Sequence, residues 1–508
     1  MFPRSFYVSK GSRMNPNVSA MALRPDQIST RPIERRAVST DQWPRTLLAA
    51  RNGDPYPEPR MVVSPETIED VERVVAYARR EHIPIVPYGL GSGVVGGGLG
   101  GVPSAAAITL DMKRMRHVLA LKDATVCVQG GMTGIHLEQY LRQRGYTLGH
   151  FPSSIICSSV GGWLAGRSAG QFSSRYGKIE DMVLSLRAVC GDAKARTISV
   201  NDIEMPLIIG SEGTLGVIVD SELAVWPLPE AEHYWGFTVR GVRHGLDIME
   251  KLLALGFAPN VVRLYDVYDS RVAKNKVDKK HGAGKSPEWL RALKQRSLAT
   301  ALTFPGAMRL ATDALPEECM LILGAEGGER IARTMMEGMR QAAVALGAVD
   351  LGPGPGQAWY HGRYHVSYKQ SPVFILGGYV DTMEVSAPWS VVARVYDSVR
   401  AALRSHAFVM AHFSHAYLDG CALYFTFAAR TNGDEVEHYD ETWRLALAAA
   451  TAHGASVSHH HGVGRSKAAM LRAHHGPLWS EFAELKRRFD PDDIFNPGLF
   501  GDTGAPRG

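Results

Sequence analysis

From Pro87 to Gly98 the chain reads Pro87-Tyr88-Gly89-Leu90-Gly91-Ser92-Gly93-Val94-Val95-Gly96-Gly97-Gly98, straight after the apolar segment Ile83-Pro84-Ile85-Val86. A stretch this rich in glycine has too few side chains to build a core. It can turn sharply and present consecutive backbone N–H groups to one anion with no Cβ in the way. At the end of a strand it reads as a cradle for a diphosphate. It is not the dinucleotide fingerprint, because no amphipathic helix begins inside it and the next segment, Ala106-Ile108-Leu110, alternates like another strand. A glycine run alone also suits a flexible surface loop, so its meaning depends on the rest of the chain.

At 508 residues the chain has room for two or three domains with large cores. Its 45% hydrophobic and 21% charged residues are those of an ordinary globular protein. A net charge of +5, carried by scattered basic residues, argues against a nucleic-acid partner. Cys127, Cys157, Cys190, Cys319 and Cys421 lie far apart, in odd number and in no metal-ligand spacing, which favours a reducing, cytoplasmic setting. Met1 to Arg36 has several arginines and no acidic residue before Asp26, but no apolar core of a secretion signal. It reads as a loosely ordered arm, with a transit peptide as the other reading. No apolar run approaches the roughly 18 residues that would span a bilayer, so membrane contact is at most peripheral.

Along the chain, Met61-Val62-Val63 reads as a strand, and Ser64-Pro65-Glu66-Thr67 as a helix start with proline at the first helical position. Val71, Val74, Val75 and Ala78 give one face of a helix over 68–81. Three short strands follow, at 108–111, 118–121 and 125–128, then a helix over 134–144, an α+β pattern. The segments 149–154, 159–170 and 175–181 are rich in glycine and hydroxyls, suited to the edge of a large planar ligand. Gly210-Ser211-Glu212-Gly213-Thr214-Leu215-Gly216-Val217-Ile218 then leads a loop into a strand, and Pro227-Leu228-Pro229 marks a boundary. Beyond it come helices over 245–255 and 329–346 and strands over 235–239 and 319–323. The lysine-rich piece 274–285 and Gly352-Pro353-Gly354-Pro355-Gly356 read as exposed loops.

These segments together resemble the flavin-binding domain of the vanillyl-alcohol oxidase superfamily (FAD-binding PCMH type, with an FAD-linked oxidase C-terminal domain). From about Met61 to Phe500 the chain is most similar to bacterial relatives of alkyldihydroxyacetonephosphate synthase. The resemblance implies an α+β, two-domain flavoprotein: an N-terminal arm over 1–55, an FAD-binding domain over 56–230, a cap over 231–450, and a segment 451–508 that returns to the flavin. It implies FAD, bound non-covalently. The expected FAD contacts are Pro87, Gly89, Leu90, Gly91, Ser92, Gly93 and Val94 in the first loop, and Pro152, Ser153, Ser154, Ser159, Gly161, Gly162, Arg167, Ser168, Gly170 and Tyr176 in the middle segments. Glu212, Gly213, Gly216, Val217 and Ile218 complete the set.

The sharpest polar feature after the glycine loop is Ser458-His459-His460-His461-Gly462-Val463-Gly464. Three adjacent imidazoles cannot all face one way, so a metal bound there would need further ligands; a solvated histidine run is the plain alternative. In the family the triple histidine lies in the active site, which assigns His461 as the base, supported by His459 and His460. Tyr424, in the alternating strand Cys421-Ala422-Leu423-Tyr424-Phe425-Thr426-Phe427, reads as a core aromatic by itself and as the catalytic tyrosine by resemblance. Arg263 matches an arginine near the flavin, with an ion pair to Asp266 as the other reading. His415 and Tyr417 are expected to line the substrate pocket; Trp359, Arg363 and the turn 386–389 also match the family. The Gly-Asp-Gly-Asn run of the superfamily's metal-dependent members is absent, so no metal is expected.

Two departures bear on activity. The family's substrate-binding arginine falls at Gln370 in Tyr368-Lys369-Gln370-Ser371, leaving Lys369 as a point charge, and its acidic segment is His150-Phe151-Pro152-Ser153-Ser154 here. The expected function is therefore an FAD-dependent oxidoreductase that moves a hydride from an alcohol or 2-hydroxy acid to flavin N5 with Tyr424/His461 base assistance. The alternative is the synthase-like transferase, which makes an ether-lipid precursor through a flavin N5 adduct. The partner is a small molecule and the expected assembly a homodimer.

Overall fold

The computed structural model describes residues 18–102, 104–271, 302–306, 317–365, 371–476 and 478–501. The lysine-rich piece lies outside them, as do Lys369 and Gln370. Among the described residues no helix is long and apolar enough to cross a membrane.

The first module holds two sheets. In the smaller, Met61–Val63, Ile108–Asp111 and Ile85–Tyr88 lie parallel, with Ile28–Ser29 antiparallel at the edge. The helix Ile68–Arg80 packs on it through Val71, Val74, Val75 and Ala78, as its periodicity predicts. It begins after Pro65, not at it. Thr67 is the N-cap, its hydroxyl accepting from the Asp70 N–H at 3.2 Å while Asp70 accepts from Thr67 N–H at 3.1 Å, a reciprocal box that fixes the first turn. The second sheet is antiparallel, in the order Val118–Lys122, Thr125–Gln129, Val217–Ala224, Val183–Val189, Ala195–Ser199.

The second module is a seven-stranded antiparallel sheet in the order Val349–Asp350, Ala231–Arg240, Glu318–Gly327, Val261–Tyr265, Phe408–Ala416, Gly420–Ala429, Tyr379–Pro388. One face is covered by the helices Gly241–Ala254, Glu329–Ala345, Trp389–Ala402 and Glu435–Thr451, through residues such as Met249, Met339, Val395 and Leu447. Strand alternation puts Val262, Leu264, Phe413, Leu423, Phe425, Met383 and Val385 into that core. The intervening Arg263, His412, Tyr424 and Glu384 therefore share the opposite face, which meets the first module.

Two expectations are corrected. Residues 353–356 open a helix, Pro353–Gly362, rather than a loop: proline suits the first helical turn, and a Cβ at Gly356 would stand 2.5 Å from Trp235 N, so glycine lets this helix press onto the strand Ala231–Arg240. The described part of the arm is likewise built into the fold. Ile28 and Ser29 pair with Val63 and Val62, and Trp43 and Leu48 enter the core of the second module.

Candidate active site

The glycine loop and the triple-histidine turn, far apart in sequence, pack against each other. Gly462 and Gly464 have φ of +81° and +49°, and a Cβ on Gly464 would lie 2.3 Å from Val95 O. Ser466 N–H donates to the same carbonyl at 3.1 Å. On the other side the loop meets the start of the helix Val160–Ala165, where a Cβ on Gly89 would be 2.4 Å from Ser159 Oγ.

The register of the large sheet places Tyr424 opposite Glu384 on one side and His412 on the other. The Tyr424 hydroxyl is in hydrogen-bond contact with His460 Nε2, and His460 Nδ1 lies 2.9 Å from His459 Nδ1. His461, the expected base, instead stands edge-on to the Tyr424 ring at 5.3 Å. The Tyr424 ring also stacks on His412 at 4.6 Å and 18°. Burial pushes the Tyr424 phenol up and keeps it protonated. Burial also drives the histidines down, His459 and His461 to about 4 and His460 well below its ordinary value, so all three are neutral proton acceptors at neutral pH.

What holds the turn is Glu384, which sequence reasoning missed. It accepts from Ser458 Oγ at 2.6 Å, His459 N–H at 2.7 Å, His461 N–H at 2.9 Å and Lys467 Nζ at 2.9 Å. Burial would raise its carboxyl, but the Lys467 ammonium, then His461 and His459 and the Ser458 hydroxyl, hold it at about 2. Glu384, His459 and His460 bring ligand atoms within 4.8 Å of one another. The Lys467 ammonium stands 2.9 Å from one oxygen of that carboxylate. The only forewarning in sequence was a strand, Tyr379–Pro388, that carries two acidic residues, Asp381 and Glu384, among mostly apolar ones.

The other expected residues divide. His415 Nδ1 and Tyr417 OH both contact Ser173 Oγ, at 2.7 and 3.0 Å, joining a strand of the second module to the first module beside His459 and His460; Ser173 was not singled out from sequence. Arg263 does not pair with Asp266, whose carboxylate is taken by Tyr268 N–H, Ala411 N–H and Tyr396 OH; it meets His412. Glu212 sends its carboxylate to Gly464 N–H at 3.0 Å and also to Val463 N–H, fastening the histidine turn. Arg167 is exposed and pairs with Glu180, and Tyr176 packs over Gly149 and against Trp226. Ser168 Oγ lies 3.2 Å from His150 Nε2, and Ser153 Oγ accepts from Gln171 Nε2 at 3.0 Å. Gly213 (φ +70°) abuts Pro87, while a Cβ on Gly170 would stand 2.4 Å from Phe151 N and one on Gly216 2.7 Å from Val189 O; Val217 and Ile218 run into the central strand of the second sheet.

These surroundings fit FAD. Within 90–94 no backbone N–H donates to another described residue, which leaves a row of donors for a diphosphate. Buried polar atoms without a partner, His150 Nδ1, Gln171 Oε1, Ser414 Oγ, His459 Nε2, His461 Nδ1 and Arg263 Nε, belong to the segments that meet between the modules, where a polar ring edge would satisfy them.

Comparison with known proteins agrees. The family "FAD binding domain" matches residues 59–199 and "FAD linked oxidases, C-terminal domain" matches 228–499. The alkyldihydroxyacetonephosphate synthase of Dictyostelium discoideum is 30% identical over 489 residues, 93% of this chain and 78% of that one. The FAD-linked oxidoreductase YgcU of Escherichia coli (strain K12) is 28% identical, covering 87% and 89%. A solved alkyldihydroxyacetonephosphate synthase superposes with a TM-score of 0.78 at 26% identity over 97% of this chain and 86% of that one. The 4-ethylphenol oxidase from Gulosibacter chungangensis shares the fold, with a TM-score of 0.71 at 15% identity over 95% and 96%. With both modules matched and a synthase aligned over 93% of this chain, the chain belongs to the FAD-linked oxidase family of flavoenzymes and FAD is its cofactor.

Proposed function

We propose that the protein is an FAD-dependent transferase of the alkyldihydroxyacetonephosphate synthase type, which exchanges the acyloxy group of an acylated dihydroxyacetone phosphate for a long-chain alkoxy group. The observation that carries this reading is the Tyr424–His460 contact, set against the glycine loop in a chain so similar to such synthases. When bound, FAD would supply an electron-accepting ring system, and the exchange of acyloxy for alkoxy involves no net oxidation. Tyr424, kept protonated by burial, exchanges a proton with the carbon beside the ketone or with the incoming alcohol, and His460 Nε2 takes or returns the phenolic proton. Arg263 offers N–H donors to an oxyanion. The ester C–O bond breaks and the carboxylate leaves. The alcohol oxygen forms the new C–O bond, and its proton passes to the Tyr424–His460 pair.

One observation favours oxidation of an alcohol or 2-hydroxy acid instead: Gln370 stands where the family's substrate-binding arginine falls. The test is to incubate the purified holoenzyme with an acylated dihydroxyacetone phosphate and a long-chain alcohol, and to analyse for the ether and the released fatty acid. Tyr424→Phe, with flavin content unchanged, is expected to lower that rate about 10²–10⁴-fold. Anaerobic bleaching of the flavin by an alcohol or hydroxy acid, with recovery of the carbonyl product and no ether, replaces the transferase reading with the oxidoreductase one.

A further inference from the structure

Arg263 Nη2 lies 2.6 Å from His412 Nε2. A guanidinium only donates, so Nε2 must accept and carries no proton. The proton of the neutral imidazole then sits on Nδ1, 3.1 Å from Asp269 Oδ2, which accepts it. Burial, Arg263 and His461 all disfavour a doubly protonated His412.

Each member of the chain is fixed by the one before. Asp266 is fully buried and accepts from Asp269 N–H at 2.9 Å, Tyr268 N–H at 3.0 Å and Ala411 N–H at 2.8 Å, which pins the short helical turn 267–271 against the strand that carries His412. That strand pairs Tyr265 with His412, so Arg263 and His412 are set by sheet register. Arg263 Nε is buried and has no partner, an N–H left over on the side chain that also pulls the Tyr424 phenol down electrostatically, against burial.

We propose that Asp269 and His412 are positioning residues: Asp269 holds His412 in the Nδ1–H tautomer, and His412 Nε2 thereby holds the Arg263 guanidinium so that its remaining N–H groups face an oxyanion in the active site. This deepens the proposed function, on which it rests only for what that oxyanion is. Neither residue needs to touch substrate. Each acts through Arg263, whose guanidinium always stays charged.

The test uses full-length holoenzyme with ¹⁵N-labelled histidine and arginine. His412 is expected to show an unprotonated Nε2 and a protonated Nδ1 at neutral pH. In Asp269→Asn the amide donates to Nδ1, the proton moves to Nε2 and confronts Arg263, and exchange of the Arg263 guanidinium protons should accelerate about tenfold or more. His412→Gln, which keeps an acceptor oxygen near the Nε2 position, should retain slow exchange, whereas His412→Leu should lose it. That pair decides the matter if Asp269→Asn does not fold or load flavin. An imidazolium or an Nε2–H tautomer in the unmodified protein overturns the proposal, as does equal exchange in the Gln and Leu variants. None of these readouts needs a substrate, so absence of ether formation by the unmodified enzyme defeats the transferase reading without touching this one. With turnover in hand, Asp269→Asn is expected to lower kcat about tenfold.

Discussion

Glu384 and Lys467 show how much of this site depends on single buried charges. Both side chains are fully shielded from water, and between them they tie the strand Tyr379–Pro388 to the histidine turn and to the helix Gly464–His475. An ion pair in such a place gains little over apolar residues of the same size, but breaking it strands the surviving charge. Glu384→Gln is therefore expected to cost about 3–5 kcal/mol in urea unfolding. Glu384→Gln combined with Lys467→Met should recover part of that loss while still releasing the turn and lowering turnover. At this scale the sequence showed the three histidines as an unusual run, and Tyr424 only through the family resemblance. It did not show Glu384, His412 or Asp269. Each stands among other polar residues, Asp381 and Thr382 near Glu384, Ser414 and His415 near His412, Ser270 and Arg271 beside Asp269, and its meaning comes from partners that the fold brings alongside. Nor did it show which imidazole reaches Tyr424: the choice of His460 over His461 follows from the backbone path that Glu384 imposes on the turn.

At the scale of elements, the segment 38–51 straps the glycine loop to the second module. Gln42 N–H donates to Gly93 O at 2.8 Å, Tyr88 OH donates to Thr40 O at 2.8 Å, and Trp43 packs on Gly96. The helix Pro44–Arg51 then reaches the second module, with Arg45 forked on Asp440 at 2.7 and 2.8 Å. Trp43→Ala should cost about 3–5 kcal/mol and weaken FAD retention by loosening the cradle, read as urea midpoint and as flavin lost on gel filtration. Gly96→Ala should weaken retention as well, because Gly96 has φ +81° and a Cβ there would lie 2.5 Å from Trp43 Cε3. If Trp43→Ala lost stability but kept its flavin, the strap would be structural only. Helices and strands with clear periodicity were legible: 68–81, 329–346 and the strand around Tyr424 all fold as their apolar spacing dictates. The strap was not, because Trp43, Arg45 and Arg51 follow no period and bind surfaces the sequence does not reveal. The helix at 353–362 was hidden by a composition of glycine and proline that signals turns on average, while its packing demands a residue without a side chain.

Across the whole molecule, buried titratable groups pull stability in opposite directions with pH. Burial holds His150 at about 3 and His459 and His461 at about 4, with His412, His415 and His460 also well below their ordinary value. Between those values and the unfolded value of about 6.5 the unfolded chain binds more protons, so this set loses stability as pH falls. Burial conversely raises Asp41 to about 6 and Glu212, Asp266 and Asp381 to about 7. From the ordinary carboxylate range up to those values the folded chain binds more protons, so this set loses stability as pH rises. The two slopes overlap and offset each other between about pH 4.5 and 6.5. Below about pH 4 the raised carboxyls no longer compensate, since they are protonated in both states, while Glu384, held at about 2, adds its own loss. Urea unfolding should therefore give a shallow dependence in the first window and a steep decline below it. Asp381 is the cleanest probe, because it accepts from Tyr439 OH and Trp443 Nε1 within the second module and touches none of those histidines. Asp381→Asn removes one raised carboxyl and leaves the histidine set intact. Its stability should fall more steeply on acidification from pH 6.5 to 4.5, by up to about 1.4 kcal/mol per pH unit relative to the unmodified protein. An unchanged slope would mean that Asp381 is ionised across that window, with Tyr439 and Trp443 outweighing the burial that raises it.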